Sequence, residues 1–151
     1  MAPTLEPFER QILDFLLAGD LAPLPGLRTQ LAHASVIERK YTGVGVFTDL
    51  KVPSEIPSVQ PANFELGDAS YELDRVQHGG GVVLFVRDGR LTTLEVFNWT
   101  DDWPTQPRLT SLSYLVRDGP PGPRGGQSLK PSPTRDFDAL ARELASRGAS
   151  A

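Results

Sequence analysis

The sequence predicts an α+β fold in which two N-terminal helices pack on a mainly antiparallel sheet of about five strands, with a C-terminal helix after a Pro/Gly-rich loop. This prediction rests on the spacing of the apolar residues along the chain. They recur at helical spacing up to His33 and at a spacing of two from Val36 onward. A hairpin signal supports the sheet: residues 79–97, GGGVVLFVRDGRLTTLEVF, contain two β-rich runs joined by Asp88-Gly89.

Each predicted helix has an apolar face. The first runs over about 7–18, where Pro suits the first helical position and Glu6 or Thr4 is the expected cap. After a Pro-rich turn, a shorter helix over about 25–33 completes an N-terminal helical hairpin. The third helix, over 135–147, is short and amphipathic, and it follows the Pro/Gly-rich segment.

The predicted strands are rich in β-branched and aromatic residues and are bounded by Gly and Pro. They are 36–42, 44–52, an extended segment over 64–77, the two arms of the hairpin, and 109–117. Residues 118–134 are rich in Pro and Gly and are expected to be a loop or linker. The expected organisation is a single α+β domain over 1–117, this linker, and the C-terminal helix over 135–147.

The hairpin register places one carboxylate among apolar side chains. Asp-Gly favours a type I′ turn, and a two-residue loop pairs Val86 with Leu91 and Val82 with Glu95. Glu95 then shares a face with Val82, Leu84 and Leu91. Because both faces of the hairpin are largely apolar, we expect it to be central in the sheet and covered on both sides, by helices or by another subunit.

Composition sets several functions aside. The chain of 151 residues has no cysteine, which excludes disulfides, Cys-ligated zinc, iron–sulfur clusters and thiol nucleophiles. Net charge is −4 without a basic patch, so no nucleic-acid partner is expected. The N-terminal MAPTLEPFER lacks the features of a signal peptide, and the longest strongly apolar run is 82–86. A cytoplasmic protein with no membrane partner is therefore expected.

Motifs for cofactor or metal chemistry are incomplete. His78-Gly79-Gly80-Gly81 is similar to an esterase oxyanion loop, but no Gly-x-Ser-x-Gly nucleophile elbow accompanies it. Gly43-Val44-Gly45 precedes a strand rather than a helix, so it predicts a bulge rather than a phosphate loop. The only other histidine is His33, and no ligand spacing predicts a metal site. We expect no cofactor and no metal.

Glu95 is the candidate catalytic residue. A buried carboxylate has a raised pKa and can act as a general acid or base. The alternatives are an ion pair or hydrogen bond to a neighbour, or a position that reaches solvent. If the first strand lies beside the hairpin, Arg39 or Tyr41 could meet Glu95 and form a small polar cluster.

The loop after the hairpin supplies further candidates for binding. Trp99, Asp101, Asp102 and Trp103 combine aromatic and acidic side chains, which are typical of residues that anchor a partner or line the rim of a pocket. The alternative is that both indoles cover the edge of the sheet.

Three motifs together resemble a known family. They are Tyr41-Thr42-Gly43-Val44-Gly45-Val46-Phe47, the hairpin with Leu84-Phe85, Asp88-Gly89 and Leu94-Glu95, and Asp102-Trp103-Pro104. This pattern resembles a family of small uncharacterised bacterial proteins, over roughly residues 36–104. The resemblance implies a small cytoplasmic α+β protein, and it implies no activity.

The leading functional hypothesis is a non-catalytic binding or protein-interaction module, because nucleophile motifs and clustered histidines are missing. One version is an immunity-like protein that neutralises a partner. One alternative is a small enzyme with Glu95 as base and Arg39 or Tyr41 orienting the substrate, which requires a concave pocket at Glu95. Another is a carrier of small apolar ligands, with a cavity between the first helix and the sheet. The two-sided hairpin and the detached helix also predict a homodimer.

Overall fold

The structure is a computed structural model, and it describes residues 4–149, so the first three residues of the N-terminal stretch lie outside it. The described elements are α1 Pro7–Leu16, α2 Leu24–His33, β1 Ser35–Tyr41, β2 Gly45–Lys51, β3 Phe64–Leu66, β4 Ala69–Leu73, β5 Gly80–Arg87, β6 Arg90–Asn98, β7 Leu109–Arg117, β8 Leu129–Ser132 and α3 Phe137–Ala149. None of the helices within 4–149 is long and apolar enough to cross a membrane.

The strands form one antiparallel sheet in the order β1-β2-β6-β5-β4-β7-β8, with β3 also paired to β5. The α+β class is confirmed, but the expectation of about five strands is wrong, because the described residues form an 8-stranded sheet. The extended segment 64–77 divides into β3 and β4, and both pair with β5. The Pro/Gly-rich segment contributes β8, where Pro131 is tolerated because β8 pairs only with β7 at the sheet edge.

The hydrophobic core lies between the helices and one face of the sheet. From α1 it takes Ile12, Leu13 and Leu16, which have no exposed surface. The sheet contributes alternate residues of its central strands, including the fully buried Leu84 and Leu94. Each such side chain contributes roughly 1.5–3 kcal/mol through burial, so this face determines which way the sheet packs.

Gln30 on α2 holds the hairpin turn in place. Its amide nitrogen donates to the carbonyl of Gly89 at 2.8 Å, and its oxygen accepts the N–H of Leu91 at 2.9 Å. Positive φ angles of 52° at Asp88 and 74° at Gly89 confirm the tight turn expected at this dipeptide. The helix and the hairpin are therefore joined by hydrogen bonds as well as by apolar packing.

Arg135 attaches the C-terminal segment to the rest of the chain. Its guanidinium makes two hydrogen bonds of 2.8 Å to the Asp68 carboxylate and one of 2.6 Å to the Leu16 carbonyl. The helix that follows buries Leu140 and Leu144 in the same core. In this chain α3 therefore packs on its own domain.

Candidate functional site on the open face of the sheet

A β-bulge in β6 decides where Glu95 lies. Near the turn, Val86 pairs with Leu91 as expected, but the next pair is Phe85 with Thr93, so Thr92 is an extra residue. Every later pair is shifted by one, and Glu95 lies opposite Val83 rather than Val82. A shift of one residue moves a side chain to the other face of the sheet. The prediction that Glu95 lies among the core side chains is therefore wrong.

Glu95 belongs instead to the face that α1, α2 and α3 do not cover. This surface, which we call the open face, consists of alternate residues of the central strands together with Trp99. Its members are Phe47, Asp49, Val83, Phe85, Thr93, Glu95, Phe97 and Trp99. All except Trp99 are half-buried, whereas the residues that alternate with them are almost all buried. Since the hairpin is covered on one side in the single chain, its apolar second side remains accessible.

The surroundings of Glu95 are largely apolar. Its cross-strand neighbours are Phe47 on β2 and Val83 on β5, whose side chains lie within contact distance in such a ladder. Within residues 4–149 its carboxylate has no hydrogen bond and no ion pair. Partial burial raises the pKa of Glu95 above its ordinary value, because a carboxylate that has lost water is less stable when charged.

Other charged groups on or beside the open face are already paired. Arg87 lies 3.1 Å from the Glu65 carboxylate, and its guanidinium is 5.4 Å from the centre of the Phe85 ring. Asp49 accepts a hydrogen bond of 2.9 Å from the Thr93 hydroxyl. Glu95 therefore differs from these neighbours in lacking a partner of its own.

The structure does not bring Arg39 or Tyr41 to Glu95. Arg39 pairs with Thr48 and Tyr41 with Val46, and both pairs belong to the helix side of the sheet. Tyr41 is 63% exposed at the end of the edge strand. Glu95 pairs with Phe47, whose side chain lies on the opposite face of the sheet from those of Val46 and Thr48. The expected polar cluster therefore does not form.

Arg39 binds a different carboxylate, that of Glu9 on α1. Its Nη2 and Nε atoms donate to Glu9 at 2.6 and 3.1 Å, and this carboxylate raises the pKa of Arg39. Glu9 has no exposed surface. It was missed as a buried acid, although its spacing from Leu13 and Leu16 places it on the apolar stripe of the helix.

The four candidates in the loop after β6 have separate roles. Trp99 is 52% exposed and meets Phe97 edge-on, with 5.3 Å between the ring centres. Trp103 packs against Phe8 on the helix side, at 5.6 Å. Asp101 accepts the N–H of Gln77 at 2.8 Å, and the Asp102 carbonyl accepts the side-chain amide of Asn98 at 3.0 Å. Only Trp99 of the four belongs to the open face.

The absence of a side chain at Gly81 makes room for the Trp99 indole. A Cβ at Gly81 would lie 2.8 Å from the Trp99 indole, so a larger residue would displace the ring. Gly80 and Gly81 are the first residues of β5, so the His78 motif leads into a strand. The Gly43 motif forms the turn between β1 and β2, in which Thr42 N–H donates to the Gly45 carbonyl at 3.0 Å.

Two hollows border the open face. One of about 450 Å³ is lined by Lys40, Phe47, Asp49, Phe85, Arg87, Thr92 and Thr93. Another of about 200 Å³ includes Trp99 and His78. A third cavity, of about 370 Å³, lies between α3 and strands β3, β7 and β8. Glu95 lines none of these three, and neither does any residue of α1.

Among the described residues, no three His, Asp or Glu side chains converge as they would around a metal ion. Compared with models of protein families, with curated proteins and with solved structures, the chain matches none of them. The resemblance to small bacterial proteins stays a prediction, and the function has to be argued from the open face.

Proposed function

We propose that this protein is a non-catalytic binding module and that the open face is its binding surface. The observation that carries the proposal is a sheet surface with three half-buried phenylalanines, Phe47, Phe85 and Phe97, beside a Trp99 that is 52% exposed. Soluble proteins seldom expose a large contiguous apolar patch unless it has a partner. Aromatic side chains are also the residues that most often dominate binding energy at interfaces.

The size and shape of the open face suit a protein partner. Strands β1, β2, β6 and β5 are adjacent in the sheet. With about 4.8 Å between strands and about 3.3 Å per residue, four strands of this length cover roughly 500 Å². Flanking loops bring this towards the roughly 800 Å² per partner of a standard interface. The larger hollow on this face, beside Phe47 and Phe85, is wide open to solvent, whereas a small-molecule site usually encloses its ligand.

The proposal has an immunity-like version, in which a cytoplasmic bacterial protein neutralises a toxin. The net charge of −4 and the exposed indole support this version, because an acidic surface with an aromatic anchor suits a basic partner. A neighbouring gene that encodes a toxin would support it, and neighbours with unrelated metabolic functions would weaken it. In the homodimeric version a second copy covers the open face.

Site-specific photo-crosslinking in the native cell tests the use of this surface. A benzophenone amino acid replaces Trp99 in one variant and Arg142, exposed on α3, in the control. We expect a defined adduct from position 99 and none from position 142. An adduct at twice the monomer mass of 16.5 kDa would identify a homodimer. No adduct from position 99, or equal adducts from both positions, would refute the proposal.

A small enzyme with Glu95 as general base is the second candidate. The raised pKa of Glu95 favours it, because a base near neutrality needs such a shift. A thermal-shift screen against common metabolites tests this candidate: a stabilising compound whose effect disappears in Glu95→Gln would support it. A shift that survives this substitution would instead indicate another site, such as the cavity beside α3. The carrier hypothesis places its cavity between the first helix and the sheet, and no residue of α1 lines any of the three cavities described.

A further inference from the structure

We propose that the partner of the open face is a protein that presents a lysine or arginine side chain, flanked by apolar side chains, to the Glu95 carboxylate. This inference rests on the proposed function and specifies the chemistry of the partner. It follows from the contrast between one unpaired acid and the apolar surface that surrounds it.

The position of Glu95 makes it a receptor for a cation. It lies on β6, with Phe47 on one neighbouring strand and Val83 on the other, so any protein covering the open face also covers this carboxylate. Covering an ionised carboxylate without a counter-ion is costly, because water that solvates it is removed. A cation on the partner would offset this cost, and apolar residues around that cation would pack on the aromatic rings.

The cationic side chains on or beside the open face contact other groups. Lys40, on the far side of β2, has its ammonium 3.8 Å from the Glu38 carboxylate. Arg87 bonds to Glu65, and Arg90 donates to the carbonyl of Pro53 at 3.1 Å. Among the described residues no cation contacts Glu95, so we expect the partner to supply the cation that neutralises it in an interface.

Charge complementarity favours such a partner over a second copy of this chain. In a two-fold dimer the same surface meets itself. Because β6 and β5 are central in the sheet, packing two open faces together would bring Glu95 close to its own copy. Two unpaired carboxylates in a dry interface repel each other, whereas a basic protein segment removes the repulsion.

Selection from a random peptide library displayed on phage tests the inference with a defined probe. The full-length protein is the bait, and enriched peptides are synthesised and titrated against purified variants. Trp99→Ser reports whether a peptide uses the open face, and Glu95→Gln reports whether it uses the carboxylate. Asp14→Asn, exposed on α1, removes the same charge from the helix side and controls for long-range electrostatics.

We expect enriched peptides to carry Lys or Arg between apolar residues. Their binding should weaken at least about tenfold in Glu95→Gln, a loss of about 1.4 kcal/mol, and should not change in Asp14→Asn. Thermal melting of each variant confirms that it is folded.

Two results separate the inference from the proposed function. The first concerns peptides whose binding is lost in Trp99→Ser. If these peptides lack basic residues, or if their binding is unchanged in Glu95→Gln, the inference is overturned and the proposed function stands. Peptides insensitive to both substitutions would count against both. A dimer in light scattering whose association is weakened by Trp99→Ser would also overturn the inference, because the occupant would then be a second copy.

Discussion

Replacing a carboxylate with its amide should have opposite consequences at two glutamates. The Glu9 carboxylate accepts four hydrogen bonds, from Glu6 N–H, from two nitrogens of Arg39 and from the Thr48 hydroxyl. Glu9→Gln keeps one acceptor oxygen and turns amide hydrogens towards two of these donors. Losing two charge-assisted bonds at about 1.5–3 kcal/mol each predicts a destabilisation of about 3–6 kcal/mol.

Glu95→Gln should change the free energy of unfolding by less than about 1 kcal/mol at neutral pH. No bond is lost, since the carboxylate has no partner within residues 4–149. The pKa of Glu95 is raised from 4.5 by partial burial, so its protonated form is favoured in the folded state. Glu95 therefore contributes stability that is fully present below pH 4.5 and is lost as pH rises through the raised pKa. As pH rises over this range, the free energy of unfolding of Glu95→Gln should therefore increase relative to that of the wild type.

Urea unfolding followed by circular dichroism, at several pH values from acidic to neutral, measures both effects. The m-values of the wild type, Glu9→Gln and Glu95→Gln should agree, so that differences between their unfolding midpoints report differences in stability directly. A loss of about 3 kcal/mol in Glu95→Gln would show that the Glu95 carboxylate is buried and bonded to a partner in solution, contrary to this structure. A neutral effect of Glu9→Gln would show that the Arg39 contact is not formed in solution.

Three further substitutions test how the fold supports the open face. Arg135→Gln should lower the free energy of unfolding in urea by about 3–5 kcal/mol and expose α3 to limited proteolysis. The control Arg142→Gln should change this free energy by less than about 0.5 kcal/mol, and equal effects of the two substitutions would contradict the anchoring role of Arg135. Tyr71→Phe removes a hydrogen bond of 2.6 Å to Asn98 and should cost about 1 kcal/mol, and an unchanged unfolding midpoint would argue against that bond. In Gly45→Ala the new Cβ would lie 2.0 Å from a carbonyl oxygen of β6, so we expect a melting temperature several degrees lower; wild-type melting would disprove the close approach.

Local patterns predicted the elements and the class of this fold. The Asp88-Gly89 turn, the apolar stripes of the first two helices and the alternation of most strands depend on neighbours close in sequence, and each was located to within a few residues. The α+β class could be predicted because apolar residues with helical spacing and those with strand spacing occupy different parts of the chain. The division of 64–77 into two strands was missed, since pairing partners rather than local pattern decide where a strand ends.

Glu95 shows where prediction from the sequence stopped. In β6 the core residues are Leu91, Leu94 and Val96, with spacings of three and then two. A spacing of three within a strand is a signal for a bulge, because regular alternation would put Leu94 on the other face. The hairpin read by itself favoured the regular register, which placed Glu95 in the core.

By itself, then, the sequence determined the α+β class and the order of the elements. It also excluded functions that need cysteine and argued against those that need a basic patch. Only the tertiary structure decided that Glu9 rather than Glu95 is the buried acid, that Arg39 serves α1, and that one aromatic face of the sheet stays open. The physical reason is that burial depends on packing between distant segments. Packing three helices on one side of the sheet selects the bulge at Thr92, and that bulge turns Glu95 towards the surface.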